Sequence, residues 1–264
     1  MYRELLHIWG PFSINSFGLF VALGLALFTF LLYRHPQRKQ YLTDEQLFNG
    51  LYIGIIATLL GGRLLYSMQN AEAFTNIWDV FALWQGGLSI LGGIISCILA
   101  IVAYLAWLRI PVILVLDIAA LYAPLAQAFG RIGCFCAGCC HGMVCNSWYG
   151  ITYTDPASFA PLYTPLHPTQ LYSAGLFFLL FGILAFLSRR HAAPGMIVTT
   201  YLVLSSCERF VVDFWRADRE FIGHTFFDIL SLHQWIALSI ALISLCIYTI
   251  HRTIQRPLTN HEPV

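Results

Sequence analysis

Charge is what this chain has least of: only 10% of its 264 residues are Asp, Glu, Lys or Arg, against 58% hydrophobic residues and a mean hydropathy of +0.71. Soluble domains carry roughly 25% charged residues, so water is excluded as the main solvent. There is no basic tract and no interleaving of aromatic with basic residues, and the net charge is +1. A nucleic-acid surface is therefore not expected. Internal repeats, low-complexity tracts and an appended soluble domain are also missing, so residues 1–264 read as a single integral membrane domain. Without repeats or interrupted spans, a transporter built from inverted halves is disfavoured too. The first apolar run lacks a small-residue cleavage site followed by a soluble domain, which argues for a spanning helix over a signal peptide.

What the chain has instead is apolar runs of about 20 residues, the length that carries a helix across a bilayer core. Charged residues, proline and glycine divide them into spans near 14–33, 47–69, 88–108, 112–130, 170–188, 196–215 and 232–250. The expected fold is all-α and polytopic, with seven transmembrane helices. Leu108-Arg109-Ile110-Pro111 is short enough to make the third and fourth spans a tight antiparallel pair, with proline opening the second of them.

Alternate loops differ in basic residues. One set holds Arg34, Arg38, Lys39, Arg109, Arg189, Arg190, Arg252 and Arg256; the other holds Arg3, Arg131, Arg216 and Arg219. Positively charged loops stay in the cytoplasm, which places the N-terminus outside and the C-terminus in the cytoplasm. The segments 131–168 and 216–229 then lie outside, with Trp78, Trp84, Trp148 and Trp215 near that interface.

An ionisable group inside a span costs roughly 2.5–3.5 kcal/mol on insertion scales and calls for a reason. Arg63 follows the pair Gly61-Gly62 in the second span. Glu208, Arg209, Asp213 and Arg216 crowd the end of the sixth, where Arg209, Asp213 and Arg216 share a helical face by spacing. Two readings stay open: an internal ion-pair network, or guanidinium groups converging on an anionic head group such as a phospholipid phosphate. The paired glycines Gly86-Gly87 and Gly92-Gly93 could serve close packing or ligand approach. His167, before Pro168 at a helix start, could cap loop backbone or handle protons.

The most specific segment runs from Gly130-Arg131-Ile132-Gly133 through Cys139-Cys140-His141-Gly142, at the end of the fourth span. It fits, position by position, the Gly-Arg-x-Gly-x-Phe-x-x-Gly-x-x-x-Gly signature of the prolipoprotein diacylglyceryl transferases, which this chain resembles. The likeness extends to Gly61-Gly62-Arg63, to Trp84 through Gly93, to His167-Pro168-Thr169-Gln170-Leu171-Tyr172, and to Arg209 through Arg216. It implies a bacterial inner-membrane enzyme, active toward the periplasm, that moves the diacylglyceryl group of phosphatidylglycerol onto the lipobox cysteine of a preprolipoprotein. No cofactor is implied. By this resemblance Arg131, Arg209 and His167 are candidate catalytic residues, and Arg63, Gly130, Gly133, Gly142, Glu208 and Arg216 are candidate substrate-binding residues.

Four positions depart from the family pattern. Leu91 stands where the family has a histidine, Cys134 for an asparagine, Cys139 for an acid and Phe17 for a tyrosine. They leave a second reading open, in which a divergent relative has lost or altered the transfer and binds phospholipid or handles thiols. Five of eight cysteines fall between Cys134 and Cys145, and three readings remain for them: disulfides, zinc held by three thiolates with His141, or small packing residues.

Overall fold

The computed structural model describes residues 4–9, 12–73, 87–190, 193–219 and 229–259. Trp78, Trp84, Gly86 and Arg3, and the side chains of Arg252 and Arg256, lie outside the described residues. The chain forms two compact units, Tyr33–Val115 and the combination of Met1–Leu32 with Leu116–Val264.

In the larger unit a two-stranded antiparallel hairpin, β1 (Glu4–Trp9) and β2 (Phe12–Asn15), leads directly into α1 (Ser16–Arg34). The all-α expectation did not include this hairpin. α5 (Val112–Ala137) is followed by a loop with a two-residue ladder between β3 (Ile151–Thr152) and β4 (Pro165–Leu166). Next come α6 (Thr169–Ser188), α7 (Met196–Val212) and α8 (Leu232–Thr259). α7 packs between α6 and α8. Ala120, Leu121, Ala128, Phe177, Leu180, Leu184 and Ile197 form the main cluster of buried apolar side chains.

The start of α7 is fixed from a distance. Asp117 of α5 accepts hydrogen bonds from the Gly195 and Val198 N–H groups, at 2.6 and 2.8 Å, and so caps donors that no local side chain satisfies. At the other end of α5 the helix continues past Gly130, where the fourth span was expected to stop, as far as Ala137. The reason is conformational: Gly130 and Gly133 keep helical geometry, and only Gly138, at φ +79°, takes the left-handed turn that ends a helix. Gly133 instead lets α1 approach; a Cβ there would lie 3.1 Å from the Phe20 Cβ and 3.2 Å from Phe17 backbone atoms.

The smaller unit holds a short α2 (Arg38–Tyr41), α3 (Asp44–Gln69) and α4 (Ile90–Trp107). α3 opens with a capping box: the Thr43 hydroxyl accepts from Gln46 N–H, and the Gln46 side chain accepts from Thr43 N–H. α3 and α4 meet through small residues, with Gly61 against Ser96 and Gly92, and Gly62 against Ser89, so that the backbones come close enough for Ser89 N–H to donate to the Gly62 carbonyl at 2.9 Å. After α4 the chain turns at Arg109, at φ 56°, and Pro111 precedes α5. Arg38, counted above as a loop charge, is fully buried. It donates to the Tyr33 and Leu42 carbonyls and pairs with Asp44 at 2.6 Å.

Glycine and serine are buried while large apolar side chains such as Ile94, Ile98, Leu99, Leu179 and Phe186 are exposed. That inversion of the water-soluble pattern is the one expected when hydrocarbon is the solvent. Among the described residues six helices are long and apolar enough to cross a membrane: Ser16–Arg34, Asp44–Gln69, Ile90–Trp107, Val112–Ala137, Thr169–Ser188 and Leu232–Ile250. The protein is thus a mostly helical, multi-pass membrane protein. α7, the expected sixth span, has 17 residues, and a 3₁₀ turn, Asp213–Trp215, continues it.

Candidate functional site

The end of α5 carries Arg131 and Cys134 one helical turn apart, and the turn after Gly138 brings Cys139 and Cys140 back beside Cys134. The sulfurs of Cys134, Cys139 and Cys140 all lie within 4.8 Å of one another. Cys140 sits at φ 57°, a conformation that a side chain rarely adopts. Two fully buried side chains at the start of α6 hold that turn: the Thr169 hydroxyl donates to the Cys140 carbonyl at 2.9 Å, and the Gln170 amide donates to the Cys139 carbonyl at 2.8 Å. Tyr153, buried in the loop, donates to the Phe135 carbonyl, and burial pushes its phenol up to about 12.

The loop is stitched to the α7 terminus through backbone. Gly142 N–H donates to the His167 carbonyl at 3.0 Å, His167 N–H to the Met143 carbonyl at 3.0 Å, and Met143 N–H to the Trp215 carbonyl at 2.8 Å. Glycine is required at 142 because a Cβ would lie 2.5 Å from the His167 Cβ and 2.7 Å from the carbonyls of His167 and Trp215.

Charge gathers at the same place. Arg209 lies within electrostatic range of both Arg131 and Arg216. The Arg209–Asp213 pair expected from spacing forms, at 3.5 Å, but the ion network expected to include Arg216 is different. α7 stops at Val212, so Arg216 leaves the shared face and forks onto Asp218 with bonds of 2.7 and 2.5 Å. Burial disfavours both charges. The fork outweighs it, holding the Arg216 guanidinium above its ordinary range and the Asp218 carboxyl below its own. Arg219 takes the vacated role, 3.6 Å from Asp213, whose carboxylate also accepts from the Ser231 hydroxyl. Gln234 accepts from Ser231 N–H and from Arg219. Bonds from the Cys134 and Cys139 thiols pull the Cys140 thiol well down, with the Arg216 and Arg131 charges adding to the effect; the Cys139 thiol is pushed up to about 11, a bond from Cys134 being outweighed by Cys140 and burial.

His167 lines a cavity of about 490 Å³ with Tyr149, Leu171, Tyr172, Leu176, Val211 and Trp215, and its Nδ1 lies 3.3 Å from the Tyr172 hydroxyl. A second, apolar cavity of about 210 Å³ continues along α6 and α7, sharing Leu176 and Val211 with the first. Glu208 borders it and accepts from the Ser173 hydroxyl.

Of the residues singled out from sequence, Arg131, Arg209, Arg216, Gly142 and His167 come together here. Gly130 faces open space, and Gly133 is a helix-packing residue. Arg63 belongs to the smaller unit, where it is buried, donates to the Gly87 carbonyl at 3.1 Å and lies over the Tyr66 ring. His141 is not part of the thiol cluster; its Nδ1 lies 3.1 Å from the Gly142 carbonyl. None of the eight cysteines is in a disulfide. Sequence reasoning missed Thr169, Gln170, Tyr153, Asp218 and Arg219. The polar doublet Thr169-Gln170 heading an apolar helix was the available signal for the first two.

Fold and site together define a multi-pass helical membrane protein with clustered guanidinium groups and an apolar groove along α6 and α7. The chain belongs to the prolipoprotein diacylglyceryl transferase family, whose profile matches residues 3–250. It is 32% identical over 240 residues to a phosphatidylglycerol–prolipoprotein diacylglyceryl transferase of Clostridium tetani, covering 91% of this chain and 94% of that protein. A second such transferase, from Clostridium perfringens, is 32% identical over 95% of this chain and 96% of its own length. One from Dechloromonas aromatica is 31% identical, with 89% of each chain covered.

Proposed function

We propose that this protein transfers the diacylglyceryl group of phosphatidylglycerol to the lipobox cysteine thiol of preprolipoproteins, releasing glycerol phosphate. The observation that carries the reading is the gathering of Arg131 and Arg216 around Arg209, together with apolar cavities lined by Val211, Val212 and Trp215, which lie between Arg209 and Arg216 in the chain. A phosphodiester with two acyl chains needs both: cations for the head group and an apolar channel for the tails.

Transfer forms a bond from the thiol sulfur to glycerol carbon and breaks the bond from that carbon to phosphate oxygen. Negative charge grows on the leaving phosphate, and guanidinium groups already in place stabilise it without reorganising. In this scheme Arg131 and Arg209 contact the phosphate, while Arg216, oriented by its fork to Asp218, adds field. His167, hydrogen-bonded to Tyr172 on the cavity wall, exchanges protons with the acceptor thiol or the leaving group. Gly130 leaves room for the head group, and Glu208 orients the groove through Ser173.

The same proposal includes a single membrane domain over residues 1–264 in the bacterial inner membrane, with α7 as a seventh span. Its 17 residues rise about 26 Å, short of the hydrocarbon core, and the 3₁₀ turn that follows adds the remainder. The excess of Arg and Lys in one set of loops supports an N-terminus in the periplasm, a C-terminus in the cytoplasm, and the arginine cluster on the periplasmic side. Nucleic acid has no part in it. The reading is tested by depleting the native transferase from a bacterial host and supplying this chain. Restored lipoprotein lipidation is expected, and its absence with the protein correctly inserted would refute the proposal.

A further inference from the structure

Attack on a glycerol carbon requires a thiolate, and a free cysteine thiol has a pKa of about 8.5. The thiols of Cys134, Cys139 and Cys140 lie together around the turn that follows α5.

From this cluster we infer a zinc-class metal site: Cys134, Cys139 and Cys140 hold a thiophilic divalent ion whose fourth position receives the acceptor thiol. The inference rests on the transfer reading above. Sulfurs within 4.8 Å of one another need only small side-chain rotations to reach the roughly 3.8 Å separation set by zinc–sulfur bonds of about 2.3 Å. Three protein ligands with one open position is the pattern of catalytic zinc. The ligands come from a rigid frame, with Cys134 on the last turn of α5 and the backbones of Cys139 and Cys140 fastened by Gln170 and Thr169. Three thiolates around a divalent ion leave one net negative charge and an acceptor thiolate leaves two, and the nearby Arg216 and Arg131 charges, which act on Cys140, reduce its cost.

The step is balanced as follows. The acceptor thiol binds at the open position and releases its proton to solvent, since a metal-bound thiol is deprotonated outright. Its sulfur then forms the bond to the glycerol carbon, the carbon–oxygen electron pair leaves with glycerol phosphate, and the thioether, a poor ligand, departs. No oxidant or reductant is involved.

The test uses the full-length protein in lipid nanodiscs. Elemental analysis is expected to give about one zinc per chain, and Co(II) added to the metal-free protein is expected to show thiolate charge-transfer absorption. C139S and C140S should each weaken Zn(II) binding by at least about tenfold, while C246S should not. The double variant C134N/C139D, which carries the family's residue types and is the safer fold, should also lose the ion. Zinc-free protein should transfer at least about tenfold more slowly than reconstituted protein. Unchanged zinc content in the variants, a disulfide among the three cysteines in protein isolated without reductant, or equal transfer with and without zinc would overturn the inference. Zinc held by these thiols with no transfer in either form would count against the transferase reading and not against the metal site.

Discussion

Where α7 stops decides which carboxylate Arg216 meets. A helix running through 216 would set it against Asp213; ending at Val212, the chain sends it to Asp218 and leaves Asp213 to Arg209 and Arg219. Asp218 is a depressed carboxylate, so its share of stability is present above the ordinary aspartate range near 3.9 and is lost as pH falls through its lower folded value. Thermal melting from pH 6 down to about pH 2 should therefore show a larger loss in the wild type than in D218N. In the proposed transfer scheme R131A is predicted to lower kcat/KM by about 10²–10³-fold with little change in melting temperature, and R131K to recover part of that, because lysine keeps the charge and loses the fork. Arg131, Arg209 and His167 were legible in sequence from a signature and from the cost of burying charge. Asp218 and Arg219 were not, because their partners depend on a helix end that hydropathy does not mark.

Helix ends in this chain are governed by contacts far apart in sequence. The first N–H groups of α7 are satisfied by Asp117, 78 residues before Gly195, so D117A should destabilise the fold by about 1–3 kcal/mol, seen as a lower melting temperature in detergent, whereas D117N should lose less. α5 runs seven residues beyond its expected end because left-handed geometry falls to Gly138, and glycine type alone does not reveal which glycine of a signature takes it. G142A tests the stitching of loop to helix: its methyl would overlap His167 and the Trp215 carbonyl, at an overpacking cost of about 1–3 kcal/mol. Apolar runs located the membrane helices to within a few residues at most ends, since burial in hydrocarbon leaves so little freedom. The N-terminal hairpin and the β3–β4 ladder left no comparable trace, being set by backbone pairing in short segments.

For the molecule as a whole, six apolar helices among the described residues, an inverted pattern of burial and a groove along α6 and α7 describe a multi-pass membrane protein, and the proposed reading has its lipid enter that groove sideways from the bilayer. Filling that groove with L176W should reduce turnover of long-chain phosphatidylglycerol more than that of a short-chain analogue, read as a ratio of kcat/KM values. The central claim is that guanidinium groups gathered at the end of α5 and α7 draw a phospholipid's phosphate away from its glycerol carbon. It is tested most directly by reconstituting the purified protein in phosphatidylglycerol vesicles with a lipobox peptide and following glycerol phosphate and the thioether product together. Equal amounts of both are predicted, falling at least about 10²-fold in R131A; no thioether from correctly inserted wild-type protein, or an undiminished rate in R131A, would contradict the account.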